Sequence, residues 1–425
     1  MKLKLSGKLL LVGFVAMLSV ILIARDVFSI AVSKFILLGI CAAFLFVADD
    51  TIRISMISFL LPLMCGIPST YVLFCIMGLL LLRNRLSITT VLYFSIFILL
   101  EFLGLAFGST MLNSEVVKQI LFVCIFFALL FTTEKVNYLQ CMSLYFVGAI
   151  LVCGVIVAYS LMRAPSDWLS LFSKGWYRFG DVALEDVQGM TLRLNSNSLA
   201  YFSLTGLFQG IILLTKEKGL KRWFVLSGTG FLAVAGILSV SRSWILVMLG
   251  CLGLFLISHL TNPKRILLIS SVLVVFVGIG YFVAKTYPEL LQGIITRMTH
   301  SSMEGGNGRV ELMTEYADLL FGDLRMLLFG SGATYYRTAY GMTTSIHNGT
   351  LQIFLAYGIV GGSIFILGMV FSLRKGYATG RSSLIFWLPL IATVVFAQTI
   401  QFLNPCYLML PYIIAVYAVR YGRMT

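Results

Sequence analysis

The stretch that decides the fold runs NSLAYFSLTGLFQGIILL (197–214), then a break holding Lys216, Glu217, Lys218, Lys221 and Arg222, then WFVLSGTGFLAVAGILSV (223–240). The triplet Ser241-Arg242-Ser243 follows, and a third apolar run ends near residue 258. Each run has the length and composition of a helix crossing a bilayer. The first break is dense in cations and the second carries a single arginine. Across the whole chain the same alternation recurs. One alternating set of short loops holds Lys2, Lys4, Lys8, Arg53, Arg83, Arg85, Lys135, Lys216, Lys218, Lys221, Arg222, Lys264, Arg265, Arg374, Lys375, Arg381, Arg420 and Arg423, which is 18 of the 31 Lys and Arg. Only Asp49, Asp50, Glu134 and Glu217 oppose them there, so these loops carry the whole formal charge of +14 and the rest of the chain is neutral. Short basic loops stay on the cytoplasmic side, which predicts both termini inside.

The surplus charge therefore reports topology and gives no reason to expect a nucleic-acid partner. Hydrophobic residues make up 59% of the chain and mean hydropathy is +0.98, values of an all-α polytopic membrane protein. Apolar runs predict about fourteen spans. They fall near 8–24, 28–48, 54–66, 69–82, 87–107, 117–132, 141–161, 197–214, 223–240, 243–258, 266–284, 348–372, 382–402 and 405–419. Pro62, Gly66 and Pro68 are expected to break residues 54–82 into two short helices or a re-entrant pair. The N-terminus has a basic start and an apolar run but no small-x-small cleavage pattern before Arg25, so it reads as an uncleaved first helix. Seven of the eight cysteines lie in apolar runs, Cys406 lies at a membrane edge, and no Cys-x-x-Cys occurs, so neither a disulfide framework nor a zinc site is indicated. The absence of a Walker A motif argues against a primary pump.

The chain divides into N-terminal transmembrane helices (1–162), a first external loop (163–196), central transmembrane helices (197–284), a large external loop (285–347) and C-terminal transmembrane helices (348–425). Long loops in a compact protein are functional or disordered, and only these two are long. Charges in the first cancel, and the second holds Lys285, Arg297, Arg309, Arg325 and Arg337 among six acids. Their single arginines suit local, directed contacts better than a generic basic patch. Val310, Met313, Tyr316, Leu319 and Leu320 recur at near-helical spacing and predict an amphipathic helix on the membrane, with Arg309 at its start.

Two polar clusters at membrane boundaries carry a bland and a functional reading each. Arg242 either snorkels to the headgroups or lines a cavity. His347 is one of three histidines, beside His259 and His300, and is either a polar anchor or a group poised for proton transfer. Glu101 and Lys34, within apolar runs, are expected to pair with bundle neighbours, an acceptor-site role being the other reading.

Four motifs in order resemble the O-antigen ligase and Wzy-type polysaccharide polymerase superfamily. His347-Asn348, nine residues and Gly358-Ile-Val-Gly361 match the family's His-Asn-x9-Gly-x-x-Gly spacing. Gly308-Arg309 followed by Leu328-Phe-Gly-Ser-Gly332 is similar to its Gly-Arg … Leu-Phe-Gly-x-Gly stretch. Leu238-Ser-Val-Ser-Arg242 resembles its Ser-Arg hairpin, and Arg193 to Ala200 its Asn-x-x-Ala helix start. The likeness covers roughly residues 190–365. Met313 stands where the family often has Trp, and Ile364 departs from a ligase-type extension.

The resemblance implies a GT-C-like glycosyltransferase with two long external loops, acting on an undecaprenyl-pyrophosphate-linked oligosaccharide at the outer face of a bacterial inner membrane. It implies His347, Arg309 and Arg242 as catalytic, and Arg193, Asn197, Asn348 and Arg297 as substrate-binding. Asn197 has a second reading as a helix cap. Clustered external carboxylates are lacking, Asp26 standing next to Arg25, so no metal and no cofactor is expected. Expected partners are membrane lipid, a flippase and a chain-length regulator, with no nucleic acid. The leading activity is a polymerase of capsule, exopolysaccharide or O-antigen. The rivals are an O-antigen ligase acting on lipid A core and a lipid-linked sugar flippase. A flippase would show intrabilayer charge pairs and repeat symmetry, whereas the polar residues here gather in outer loops.

Overall fold

The computed structural model describes residues 7–66, 87–107, 114–131, 136–181, 183–185, 191–193, 196–259, 281, 285–299, 309–334, 336–374, 383–403 and 409–424. The expected spans at 69–82 and, apart from residue 281, 266–284 lie outside them. The protein is a helical, multi-pass membrane protein. Five described helices are long and apolar enough to cross a bilayer: α1 (Gly7–Asp26), α4 (Ile88–Phe107), α6 (Tyr138–Met162), α8 (Ser196–Leu214) and α15 (Gly349–Arg374). Between and around them run α2 (Lys34–Val47), α3 (Asp50–Gly66), α5 (Ser114–Leu130), α9 (Gly219–Leu238), α10 (Arg242–His259), α16 (Leu384–Ala397) and α17 (Met409–Met424). Every described span lies within a few residues of its apolar run, because burial in lipid forces the backbone to satisfy itself within the segment.

Local chemistry sets the ends. Ser33 Oγ accepts from Phe35 N at 3.2 Å, so α2 begins at residue 34 rather than 28. Asp49 Oδ1 accepts from Ile52 N at 2.8 Å and starts α3. Pro62 lies inside α3, which ends at Gly66 as the expected 54–66 span does, and the second half of that expectation, 69–82, lies outside the described residues. The Phe59–Pro62 face of α3 lies directly against Gly148 of α6, where any Cβ would overlap the Phe59 carbonyl. Close packing of this kind helps a helix to accommodate an internal proline.

Several described basic residues lie near one another at helix ends. Gly7, beside Lys8, lies against Ile52, next to Arg53, and Tyr138 packs on Tyr417 at 5.3 Å between ring centroids. Lys216 sits 5.8 Å over the Tyr421 ring, and Arg423 5.5 Å over Trp387. Arg420 is buried. Its Nε and Nη2 donate to Ser372 O at 3.1 and 2.6 Å, and Nη2 also to Leu130 O. Arg423 donates to Leu373 O. Two arginines of α17 thus satisfy the last carbonyls of α5 and α15, which helix geometry leaves without donors. These contacts gather Lys216, Arg420 and Arg423 around the C-terminal ends of α5 and α15.

Short helices α7 (Trp168–Ser173) and α11 (Pro288–Thr299), unread in the sequence, pack together, with Gly293 directly on Phe172. A two-stranded pairing of β1 (Ala183–Glu185) and β2 (Thr191–Arg193), with Leu184 opposite Leu192, is a small addition to a helical fold. The expected amphipathic helix is α12 (Arg309–Gly322), followed by α13 (Leu324–Phe329) and α14 (Tyr336–Ala339). Tyr316 and Leu320 bury into a small second core with Tyr336, Tyr340, Ile346 and Leu355, while Val310 and Leu319 stay exposed. Met313 packs against the edge of that core.

Candidate functional site

The site is built where four helices begin. The first N–H of α8, from Ser196, donates to Asp181 Oδ1 at 2.6 Å, and Asp181 also pairs with Arg178 at 2.8 Å. Asp181 therefore supplies a cap that the sequence reading had offered to Asn197. Asn197 instead lies inside the first turn, where its Oδ1 accepts from Ser241 Oγ at 2.9 Å. That bond ties α8 to the tight turn between α9 and α10.

The turn itself is strained. Val240 has φ 49°, a left-handed conformation uncommon for any side chain and an outlier for a β-branched one. Ser239 holds it, donating through Oγ to Gly236 O at 2.6 Å and accepting from Ser241 N at 3.3 Å. Trp244 closes over Gly236 so tightly that a Cβ there would overlap the indole. The next residue after this pinned turn is Arg242, the first of α10.

Arg309 opens α12 and His347 precedes α15. All three side chains are half-buried and share one electrostatic neighbourhood. Burial, and then the charge of Arg242, lowers the pKa of Arg309. Burial, and then the charge of Arg309, holds His347 below the ordinary imidazole value. The His347 Nδ1 is buried and makes no hydrogen bond among the described residues. Two guanidinium groups in repelling range, with the N-termini of α8, α10, α12 and α15 gathered nearby, form a strongly positive region suited to an anion.

Residues leading into His347 are held from the second core. Tyr316 donates its hydroxyl to Thr344 O at 2.8 Å, and the Tyr336 phenol lies against Ser345 and Ile346. Asn348 Oδ1 accepts from Leu351 N at 2.9 Å, so its oxygen caps α15 and the residue's first task is to start that helix. Gln352, one turn on, accepts from Phe402 N and Leu403 N at 2.7 and 2.9 Å, fixing the loop between α16 and α17. Arg193 lies in β2 and Arg297 in α11, and both side chains fall outside the described set.

The two glycine motifs meet each other. α15 is broken at Gly358, whose φ 64° and ψ −174° belong to a region open essentially to glycine alone. The break releases carbonyls of the preceding turn. Leu355 O accepts from Ser331 N at 3.1 Å and Ala356 O from Gly332 N at 2.8 Å. Gly330, at φ 74° and ψ −169°, abuts the Ala356 carbonyl, and Gly358 abuts that of Leu328. From the other side Glu101 of α4 accepts from Ala333 N at 3.2 Å and Tyr357 OH at 2.9 Å. The sequence showed Glu101 as a buried acid in an apolar run but not these partners.

Asp26 is committed to Arg25 through two bonds of 2.8 Å. Among the described residues, no three His, Cys, Asp or Glu side chains gather as a metal would need. No model of a known protein family matches the chain, and no curated protein matches it.

Proposed function

We propose that the chain is a GT-C-like membrane glycosyltransferase with about fourteen spans. It polymerises capsule, exopolysaccharide or O-antigen repeat units from an undecaprenyl-pyrophosphate donor at the outer face of a bacterial inner membrane. The observation that carries the reading is the electrostatic coupling of Arg242, Arg309 and His347. A lipid pyrophosphate is a good leaving group and needs its developing charge neutralised. Guanidinium forks do this with bidentate hydrogen bonds in a water-poor site. The acceptor hydroxyl is a poor nucleophile and gains from a base held neutral at physiological pH. A half-buried imidazole beside a cation has that property, and its Nδ1 makes no hydrogen bond among the described residues.

In this reading Arg242 and Arg309 bind the pyrophosphate, His347 takes the acceptor proton, and Asn197 steadies Arg242 through Ser241. Arg193 and Arg297 complete the donor site, and a flippase and a chain-length regulator act before and after. The test is the glycan made by a deletion strain. A polymerase mutant accumulates single repeats. Long polymer stranded on the carrier lipid assigns the chain to the ligases, and repeats retained on the inner leaflet assign it to the flippases.

A further inference from the structure

Glu101 lies within a membrane-spanning helix and is only 2% exposed. A buried acid in such a place is costly and is retained for a purpose. Packing alone would be served by leucine. The two groups bonded to it, Ala333 N–H and Tyr357 O–H, are both donors and belong to different elements. Around it the segment 328–333 is squeezed between α4 and α15: Gly104 lies on the Ser331–Gly332 backbone, and Gly361 on Leu100. That segment continues from α13, which packs along α15 and against α12. α12 begins at Arg309.

We infer that Glu101 is a positioning residue for the arginine site: it fastens the 328–334 segment to the bundle and so sets where Arg309 stands. Glu101 is too deeply buried to meet the substrate, and its influence passes through backbone. The consequence for glycosyl transfer rests on the proposed function; the fastening itself does not.

The experiment compares full-length wild type, Glu101→Ala and Glu101→Gln in lipid nanodiscs, by hydrogen–deuterium exchange and by polymer formed. Glu101→Ala is expected to speed exchange across 309–334 on the order of tenfold, the effect of losing the Ala333 and Tyr357 bonds from a local opening, while 138–162 is unchanged. Polymer falls at least about tenfold at constant protein abundance. Glu101→Gln restores part of both, because Oε1 already accepts from Ala333 and Tyr357 in the native protein and survives the change. Three results would each overturn the inference: native exchange over 309–334, loosening that spreads to 138–162 with loss of protein, or a loosened segment with full polymer output. If the wild type makes no polymer, the proposed function falls and the exchange result alone decides whether Glu101 is the fastening.

Discussion

Replacing Gly358 by alanine attacks the joint between the two glycine motifs, and its cost can be built up from the geometry. At φ 64° and ψ −174° an L-residue is strained by roughly 1–3 kcal/mol. The new Cβ would overlap the Leu328 carbonyl, so the 328–332 segment must retreat. Retreat breaks the bonds from Ser331 N and Gly332 N, each worth about 1 kcal/mol net. Together the change costs about 3–5 kcal/mol. Gly330→Ala meets the same joint from the other side, at the Ala356 carbonyl, and should cost a similar amount. Because the two share the broken contact but not the backbone strain, the double variant should cost about 1–3 kcal/mol more than either alone and less than the full sum. Thermal melts in detergent followed by size-exclusion chromatography measure all three. Gly253→Ala in α10 is the control, since nothing lies within 4 Å of its Cβ, and it should match or slightly exceed wild type. A Gly358→Ala protein that melts with the control, or a double variant showing the full sum of the two losses, refutes the argument.

His347 titration is expected below its ordinary value near ~6.5, and Arg309→Met should raise it; NMR on protein with His259 and His300 replaced by glutamine reads this directly. Wild-type activity should rise with pH through that lowered midpoint, and a falling profile would remove His347 as the base. Because the folded imidazole resists protonation, its stabilising contribution is present above the unfolded value and declines as pH falls below ~6.5. Arg309→Lys keeps charge but loses the fork, and should cut product about 10²-fold at unchanged abundance; normal product excludes Arg309 from the site. Asp181→Ala should lower folded protein through the lost cap, whereas Asn197→Ala should lower product at constant abundance, and the reverse outcome would exchange their roles. Arg420→Met leaves the Leu130 and Ser372 carbonyls without donors and should cost about 3 kcal/mol or more, visible as lost membrane protein that Arg420→Lys only partly recovers.

Hydropathy made the described spans legible, since a bilayer leaves the backbone few options. The seat of Gly148 against Phe59 and Pro62 of α3 was not legible, because it joins positions remote in sequence. α7 and the strands β1 and β2 were too short for periodicity to register, whereas α11, opening on Pro288, carried an amphipathic pattern that went unread. At the candidate site, the arginines and His347 stood out as polar residues at boundaries. Their supports did not, because a cap from Asp181, a bond from Tyr316 to Thr344 and the Glu101 contacts all join positions remote in sequence. The glycines of the family-like motifs entered the sequence reading only as matches to a spacing. Gly330 and Gly358 are explained by backbone that only glycine adopts and by direct contact between the segments they belong to.

The burial of α17 has a consequence for how this protein comes to exist. Nearly every side chain from Met409 to Val419 is enclosed by helices that precede it in the chain, and Arg420 and Arg423 close their open carbonyl ends. A ribosome delivers those surrounding helices first, so they enter the bilayer around a vacancy. Until residues 409–424 arrive, the nascent bundle holds a groove and uncapped helix ends, features that membrane quality-control proteases and insertion chaperones can recognise. A chain lacking α17 would present that groove to the bilayer and leave the Leu130 and Ser372 carbonyls without the Arg420 donors.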